Sequence, residues 1–302
     1  MCLIFRKSKK YYLYKSTNMK QIYILLIALL MGLSAKAESS GTCGPNLKWH
    51  LTDDGVLTIT GKGEMYDYSV PYNSAPWRYF GVKRIIVGDS VTTIREYTFD
   101  DCSSLTSVTI PNSVTTIGGW AFSICSSLIS VTIPNSVTTI GDNAFIGCSS
   151  LTSVTIPNSV TTIGSEAFSD CTNLQKVNIG NSVKTIGEFA FNKCTNITQI
   201  SSEAVVPPTC ESGVFFYVNT SKCKLIVPKN SLDAYKQAYQ WEDFSLIEGS
   251  TTGITNTVYN KAGLADVYTI DGTKRLSKAS TDEINALPKG VYIVNGKKII
   301  IK

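Results

Sequence analysis

V-T-I-P-N-S-V-T-T-I-G, residues 108–118, decides how this chain folds, because it recurs unchanged from Val131 and again from Val154. A looser copy, V-N-I-G-N-S-V-K-T-I-G, begins at Val177, and a degenerate one, I-I-V-G-D-S-V-T-T-I-R, at Ile85. The surrounding landmarks keep the same 23-residue step: Ile94, Ile117, Ile140, Ile163 and Ile186; Phe99, Phe122, Phe145, Phe168 and Phe191; Cys102, Cys125, Cys148, Cys171 and Cys194. A fixed period of this length is the mark of a stacked repeat array, in which each unit is one coil of a solenoid.

Within a unit, Leu105-Thr-Ser-Val108-Thr-Ile110 alternates apolar and polar residues, the pattern of a half-buried strand with Ser107 and Thr109 pointing out. Pro111 has no N–H for a ladder and ends that strand. Val114 and Ile117 start a second, shorter extended run on the far side, and Gly118 is expected to let the chain turn. The Ala121, Phe122, Cys125 spacing predicts a short helical turn that carries all three inward. The Leu-x-x-Val-x-Ile core and the period together predict a leucine-rich-repeat solenoid with short parallel strands and helical turns. The five aligned cysteines share a face with Ala and Phe and form no C-x-x-C motif. They are read as buried, unpaired thiols, with disulfides between coils as the alternative.

The 302-residue chain is 43% hydrophobic and 17% charged, with nine cysteines, one histidine and a formal charge of +5. A single histidine rules out any mechanism that needs two imidazoles. The positive charge is local. Residues 1–37 carry seven basic and no acidic side chains, so residues 38–302 hold 21 basic against 23 acidic ones, and nucleic-acid binding is not indicated. A basic start, the apolar run Ile22–Leu33 and Ala35-Lys36-Ala37 have the parts of a secretory signal peptide over residues 1–37. The run is short for a membrane span, although an uncleaved anchor remains the alternative. Met19-Lys20 would make an ordinary start, which leaves residues 1–18 as a misassigned start or a long basic segment.

Around the repeats of residues 82–202, the sequence divides further. Over residues 38–81, Leu47, Trp49 and Leu51 alternate, Asp53-Asp54-Gly55 turns, and Leu57 and Ile59 alternate again. That hairpin suits a β-rich N-terminal cap, and it places His50 outward. Residues 203–249 read as a C-terminal cap: Leu225-Ile-Val-Pro228 as a last strand, Ser231–Ala238 as a short helix with Ser231 at its N-cap, then Trp241 and Phe244 as covering bulk. Cys210 and Cys223, both in this segment, are the candidate disulfide pair. A polar linker over 250–259 precedes a small all-β domain at 260–302, with turns at Asp271-Gly272 and Asn295-Gly296.

The motif I-P-x-x-V-x-x-I-G-x-x-A-F-x-x-C-x-x-L resembles the BspA-like, treponemal-type leucine-rich repeats. That resemblance implies a secreted or surface protein of a host-associated bacterium. Ser113, Ser136 and Ser159 stand where more familiar repeats carry an asparagine ladder. Gly41-Thr-Cys-Gly44, Asn46–Leu51, Asp54–Ile59 and Ala75-Pro-Trp77 look like the segment that precedes such arrays. Asp271-Gly272, Leu287–Val294 and the terminal Lys302 resemble a type IX secretion sorting domain, against the alternative of a plain accessory β-unit.

Three function classes compete. The first is an exported binding protein that engages an extracellular protein or glycan, host matrix included, or other cells. Its candidate ladder is Ser107, Thr109, Ser130, Thr132, Ser153, Thr155, Lys176, Asn178, Gln199 and Ser201, where the last four make one end chemically distinct. Solenoids bind through extended faces of this type, although Ser and Thr are also ordinary solvent-facing strand residues. A glycan-processing enzyme is the second class. It needs two carboxyls facing across a cleft, and the adjacent acids Asp53-Asp54, Asp100-Asp101 and Glu242-Asp243 are instead read as solvated surface. The third is a structural surface component without a specific ligand. The expectation is a non-enzymatic binding protein with no catalytic residue, metal or cofactor, touching membrane only through export or surface attachment.

Overall fold

The structure, a computed structural model, describes residues 39–70, 72–250, 265–269, 273–280, 283–284, 287–288, 290–294 and 297–301. The expected leader, the Asp271-Gly272 and Asn295-Gly296 turns, Lys302 and the linker beyond Ser250 lie outside those residues. The chain forms a parallel β-solenoid. Its front face carries Arg84–Val87, Ser107–Thr109, Ser153–Ile156, Lys176–Ile179, Gln199–Ser202, Lys224–Pro228 and Leu246–Ser250. Two-residue strands such as Thr116–Ile117 and Thr139–Ile140 run up the back in one seven-stranded sheet. Pairing follows the sequence period: Ser153 faces Lys176 and Lys176 faces Gln199, while Ile117 faces Ile140 and Ile163 faces Ile186. The front is two five-stranded sheets, and the coil between them makes one isolated bridge, from Ser130 to Ser153 of the second sheet.

Strands in a sheet lie about 4.8 Å apart, so equivalent side chains must stack at that interval. Phe122, Phe145, Phe168 and Phe191 are fully buried, and successive rings lie nearly parallel with centroids 5.1, 5.2 and 5.5 Å apart. Four of the five thiols of the cysteine column donate to the carbonyl of a Phe one coil back: Cys125 to Phe99, Cys148 to Phe122, Cys171 to Phe145 and Cys194 to Phe168, at 3.0–3.2 Å. A serine ladder adds a third tie. Ser113, Ser136 and Ser159 donate to the carbonyls of Val91, Val114 and Val137 at 2.6, 2.6 and 2.5 Å, which satisfies backbone acceptors that stacking would otherwise bury unpaired.

Two local expectations are corrected. The segment from Ala121 to Cys125 and its equivalents form successive tight turns, not a helix. Alternate N–H groups bond outward: Asn143, Phe145 and Gly147 donate to the next coil's Ser165, Ala167 and Ser169, each at 2.8 Å. The intervening Ala144, Ile146 and Cys148 bond back to Gly141, Asn143 and Phe145. This alternation needs two left-handed residues per coil, at Tyr97, Trp120, Asn143, Glu166 and Phe189 and at Asp101, Ile124, Gly147, Asp170 and Lys193. The spacing of Ala, Phe and Cys is satisfied by the turns as well as by a helix, and coil-to-coil bonding selects the turns. Gly118, for its part, is not left-handed. A Cβ on Gly118, Gly141, Gly164 or Gly187 would come within 2.5–2.8 Å of the preceding coil's backbone, so these glycines allow close approach.

Both ends are closed by tryptophan. Residues 47–61 form the hairpin, with Trp49 opposite Ile59 and Leu51 opposite Leu57, and its second strand continues in parallel onto Arg84–Val87. Trp77 packs on Phe99 and donates its indole N–H to the Thr98 carbonyl at 2.9 Å. At the other end Trp241 sits edge-on to Phe215 and donates to Pro208 at 2.8 Å, and Tyr235 bonds Ser202 and Ala204. The short helix is Leu232–Tyr235. Ser231 holds the N-cap position, but its hydroxyl makes no capping bond, since Lys229–Ser231 already forms a 3-10 turn. Near the C-terminus, Ala265–Thr269, Lys274–Ala279, Gly290–Val294 and Lys297–Ile301 form an antiparallel sheet around a small cluster of Val267, Ile284, Tyr292 and Val294.

The two corrections set opposite signs for two substitutions. Gly164→Ala would drive a Cβ to 2.5 Å from the Gly141 carbonyl carbon, and overpacking of this kind costs about 1–3 kcal/mol. Ile124→Gly relieves a β-branched residue at φ 55, where an L side chain costs about 1–2 kcal/mol, against about 0.5–1 kcal/mol of glycine's chain entropy. Thermal unfolding should show a Tm several degrees lower for Gly164→Ala and roughly 2 °C higher for Ile124→Gly. A helical turn at this site would reverse the second sign.

Candidate binding surface

Strand alternation turns one column of each front strand inward and the other outward, and the structure places all ten ladder residues on the outward side. Ser107, Thr109, Ser130, Thr132, Ser153, Thr155, Lys176 and Asn178 are exposed, whereas Gln199 and Ser201 are half-buried, joined by a 3.2 Å bond from the Gln199 amide to the Ser201 hydroxyl. Asn178 donates to Thr155 across adjacent coils at 3.2 Å. Register extends the surface past what the repeat motif marks. Arg84 and Ile86 precede Ser107 and Thr109; Lys224 and Ile226 follow Gln199 and Ser201; Leu246 and Glu248 close the two columns. The flanking strands Arg84–Val87 and Lys224–Pro228 carry the signal for this extension, since counting outward positions along them gives the same columns.

At about 4.8 Å per coil, the column from Arg84 to Leu246 runs roughly 34 Å. Its centre is neutral and hydroxyl-rich. The column opens on the cation Arg84, and cations enter again toward the C-terminal end, where Lys176 and Lys224 flank Gln199. Lys224 pairs with Glu248 at 2.7 Å, while Lys176 has no ion pair among the described residues. Exposed pairs are worth about 0–1 kcal/mol, so the Lys224–Glu248 contact can open when a partner arrives.

The other chemically suggestive residues play different parts. Asp100 is buried, contrary to the solvated reading of the acidic pairs. It lies 2.9 Å from the Arg78 guanidinium, and Asp101 lies 3.5 Å from the same group. Burial pushes the Asp100 carboxyl up, with Arg78 opposing the shift. The cap residues Ala75–Arg78 fold over the first coil, and that tertiary contact, absent from the local sequence pattern, removes Asp100 from water. Asp53, Asp54, Glu242 and Asp243 are exposed, and a bond from Thr52 lowers the Asp54 carboxyl. His50 is half-exposed, out of phase with the buried Trp49 and Leu51. Among the described residues, no three His, Cys, Asp or Glu side chains converge as a metal site.

Cys210 and Cys223 are both free thiols, which corrects the candidate disulfide. Cys210 belongs to the back-sheet strand Thr209–Cys210, and Cys223 leads into the front strand Lys224–Pro228, so the two occupy different walls of the coil. Burial pushes the thiols of Cys43, Cys102, Cys148 and Cys210 up to about 12 and that of Cys223 to about 11.

The sequence was compared with known proteins. A model of the BspA type leucine rich repeat region matches in six copies over residues 77–198 and 161–280, more than half of the chain. Among solved structures, a leucine-rich repeat protein from Eubacterium ventriosum is similar at 24% identity and a TM-score of 0.51, over 64% of this chain and 67% of that one. A second, from Bacteroides ovatus, is 23% identical with a TM-score of 0.45, over 63% of this chain and 55% of that one. The leucine-rich repeat protein of T. pallidum is 28% identical with a TM-score of 0.44, over 59% of this chain and 91% of that one. The first of these shares the solenoid fold. No curated protein matches the sequence.

Thiol accessibility tests the assignment of the cysteines. In the native full-length chain at pH 8, none of the eight buried thiols of the described residues is expected to react with an aromatic disulfide reagent. All nine should react in guanidinium without a reductant. Two fewer thiols in the unfolded chain would instead establish a disulfide.

Proposed function

The chain belongs to the BspA-type leucine-rich repeat family, and from that membership we propose that it is an exported protein, secreted or held at the outer surface of a bacterium, that binds an extracellular protein through its front ladder. Host matrix and the surfaces of other cells are the partner classes to which adhesion of this kind applies. The observation that carries the reading is the ladder itself: polar over its central coils, outward, in register and carrying Lys176, Gln199 and Lys224 toward its C-terminal end. A uniform hydroxyl face offers many similar weak contacts, suited to an extended or repetitive ligand, and the cationic end fixes the register against an acidic patch. No step in this function calls for catalysis. The small C-terminal sheet serves export or attachment, in line with the likeness of Leu287–Val294 to a sorting domain.

Binding of the purified full-length chain to immobilised matrix proteins and to bacterial surfaces tests the proposal. Saturable binding should weaken at least tenfold in the Lys176→Ala, Asn178→Ala, Gln199→Ala triple variant, with Tm unchanged within about 2 °C, since solvent-facing substitutions have small effects on folding. Binding that survives those changes would move the site off the ladder. Cell fractionation supplies the second readout, and a wholly cytosolic product would contradict export.

A further inference from the structure

Where the coils end, the side-chain pattern departs from what stacking requires. Two columns of the turn face, one through the buried Ser169 and half-buried Asn192 and one outward through Asp170 and Lys193, are tied by bonds from Asn192 to Ser169 at 3.1 Å and from Lys193 to Asp170 at 3.3 Å. In the last coil those positions become Phe216 and Tyr217. The bond from the Lys193 N–H to the Phe216 carbonyl fixes the equivalence. The two rings are 55% and 61% exposed, with centroids 4.4 Å apart and planes tilted by 56°. Tyr217 also holds a left-handed backbone at φ 65. The fold gains little from a bulky ring that is both in water and on a backbone that L side chains disfavour. Closure of the core is already supplied by Phe215, Trp241 and Phe244, which pack edge to face beneath.

These rings border a cavity of about 390 Å³ whose polar lining is Thr220, Gln240 and Asp243. Gln240 is buried, at 8% exposure, and left-handed at φ 64, with its amide nitrogen fixed on the Glu211 carbonyl. Its side chain is therefore preset, not free to rotate. Asp243 is exposed and accepts hydrogen bonds only, and the Thr220 hydroxyl can donate and accept. Aromatic surface beside a few placed polar groups, in a cleft of a few hundred Å³, is the usual make-up of a small-ligand site.

We propose that this cavity binds a sugar unit of a neutral glycan, independently of the front ladder. A pyranose has an apolar face of C–H groups that lies on an aromatic ring, and a rim of hydroxyls that both donate and accept. Phe216 and Tyr217 supply the rings, Asp243 the acceptor for two neighbouring hydroxyls, and Thr220 and Gln240 the remaining polar contacts. The lining includes no cationic side chain, which disfavours phosphorylated, sulfated or carboxylated ligands. It includes one carboxylate and an open mouth, where a buried cation would call for fuller enclosure and charge balance.

The test is an array of neutral oligosaccharides probed with the full-length chain, followed by calorimetric titration of the best binder. Tyr217→Asn removes the ring but keeps a residue that tolerates the left-handed backbone, and Asp243→Asn removes the anionic acceptor. Each should weaken binding at least tenfold without lowering Tm, whereas the ladder triple variant should leave sugar binding unchanged. The proposal is overturned if no neutral oligosaccharide binds, if binding survives both pocket variants, if the ladder variant abolishes it, or if a Lys-rich or Arg-rich peptide takes the site instead.

Discussion

Coil-to-coil backbone bonding is the constraint on which the rest of this protein depends. A 23-residue coil cannot satisfy its own N–H and C=O groups or bury its apolar edge alone, so each must lie on the next with every equivalent atom in register. Invariant spacing follows from this requirement. The phenylalanines stack because register puts one ring directly above another, the thiols reach a carbonyl one coil back, and the serines do the same on the opposite wall. The glycine column exists because two backbones approach too closely for a Cβ. Even the strained residues obey it: Ile124 and Phe189 occupy left-handed backbone because their N–H groups are held by the following coil.

The same dependence explains what could be read from the sequence. Period, strand phase, inward and outward columns and the closing aromatic residues are all local or periodic, and each was legible before any coordinates. The turn conformation was not, because Ala121, Phe122 and Cys125 point inward on a helix or on paired turns alike. Nor was the burial of Asp100, whose partner Arg78 comes from the cap and not from the repeat. Cys210 and Cys223 are close along the chain, yet the coil assigns them to different walls. The ladder was legible at its centre and missed at Arg84, Ile86, Lys224, Ile226, Leu246 and Glu248, where the consensus fades while strand pairing continues.

Stability and function divide the molecule between two sets of residues. Inward and coil-contact positions are fixed by stacking, and any change there is felt by both neighbouring coils. Outward front positions are under no such demand, and the last coil is free of it on one side. Chemistry unrelated to the fold accumulates in those two places: cations toward the end of the ladder, and paired aromatic rings over a polar cavity at the cap.

Register itself is best tested by deletion. Removing residues 131–153, one full period, should join equivalent positions and leave a shorter solenoid, and calorimetry should show a single cooperative transition at a modestly lower temperature. Removing residues 131–154 should shift every later ring, thiol and glycine by one position and abolish that transition. If the two deletions unfold alike, stacking in register is not what holds this protein together.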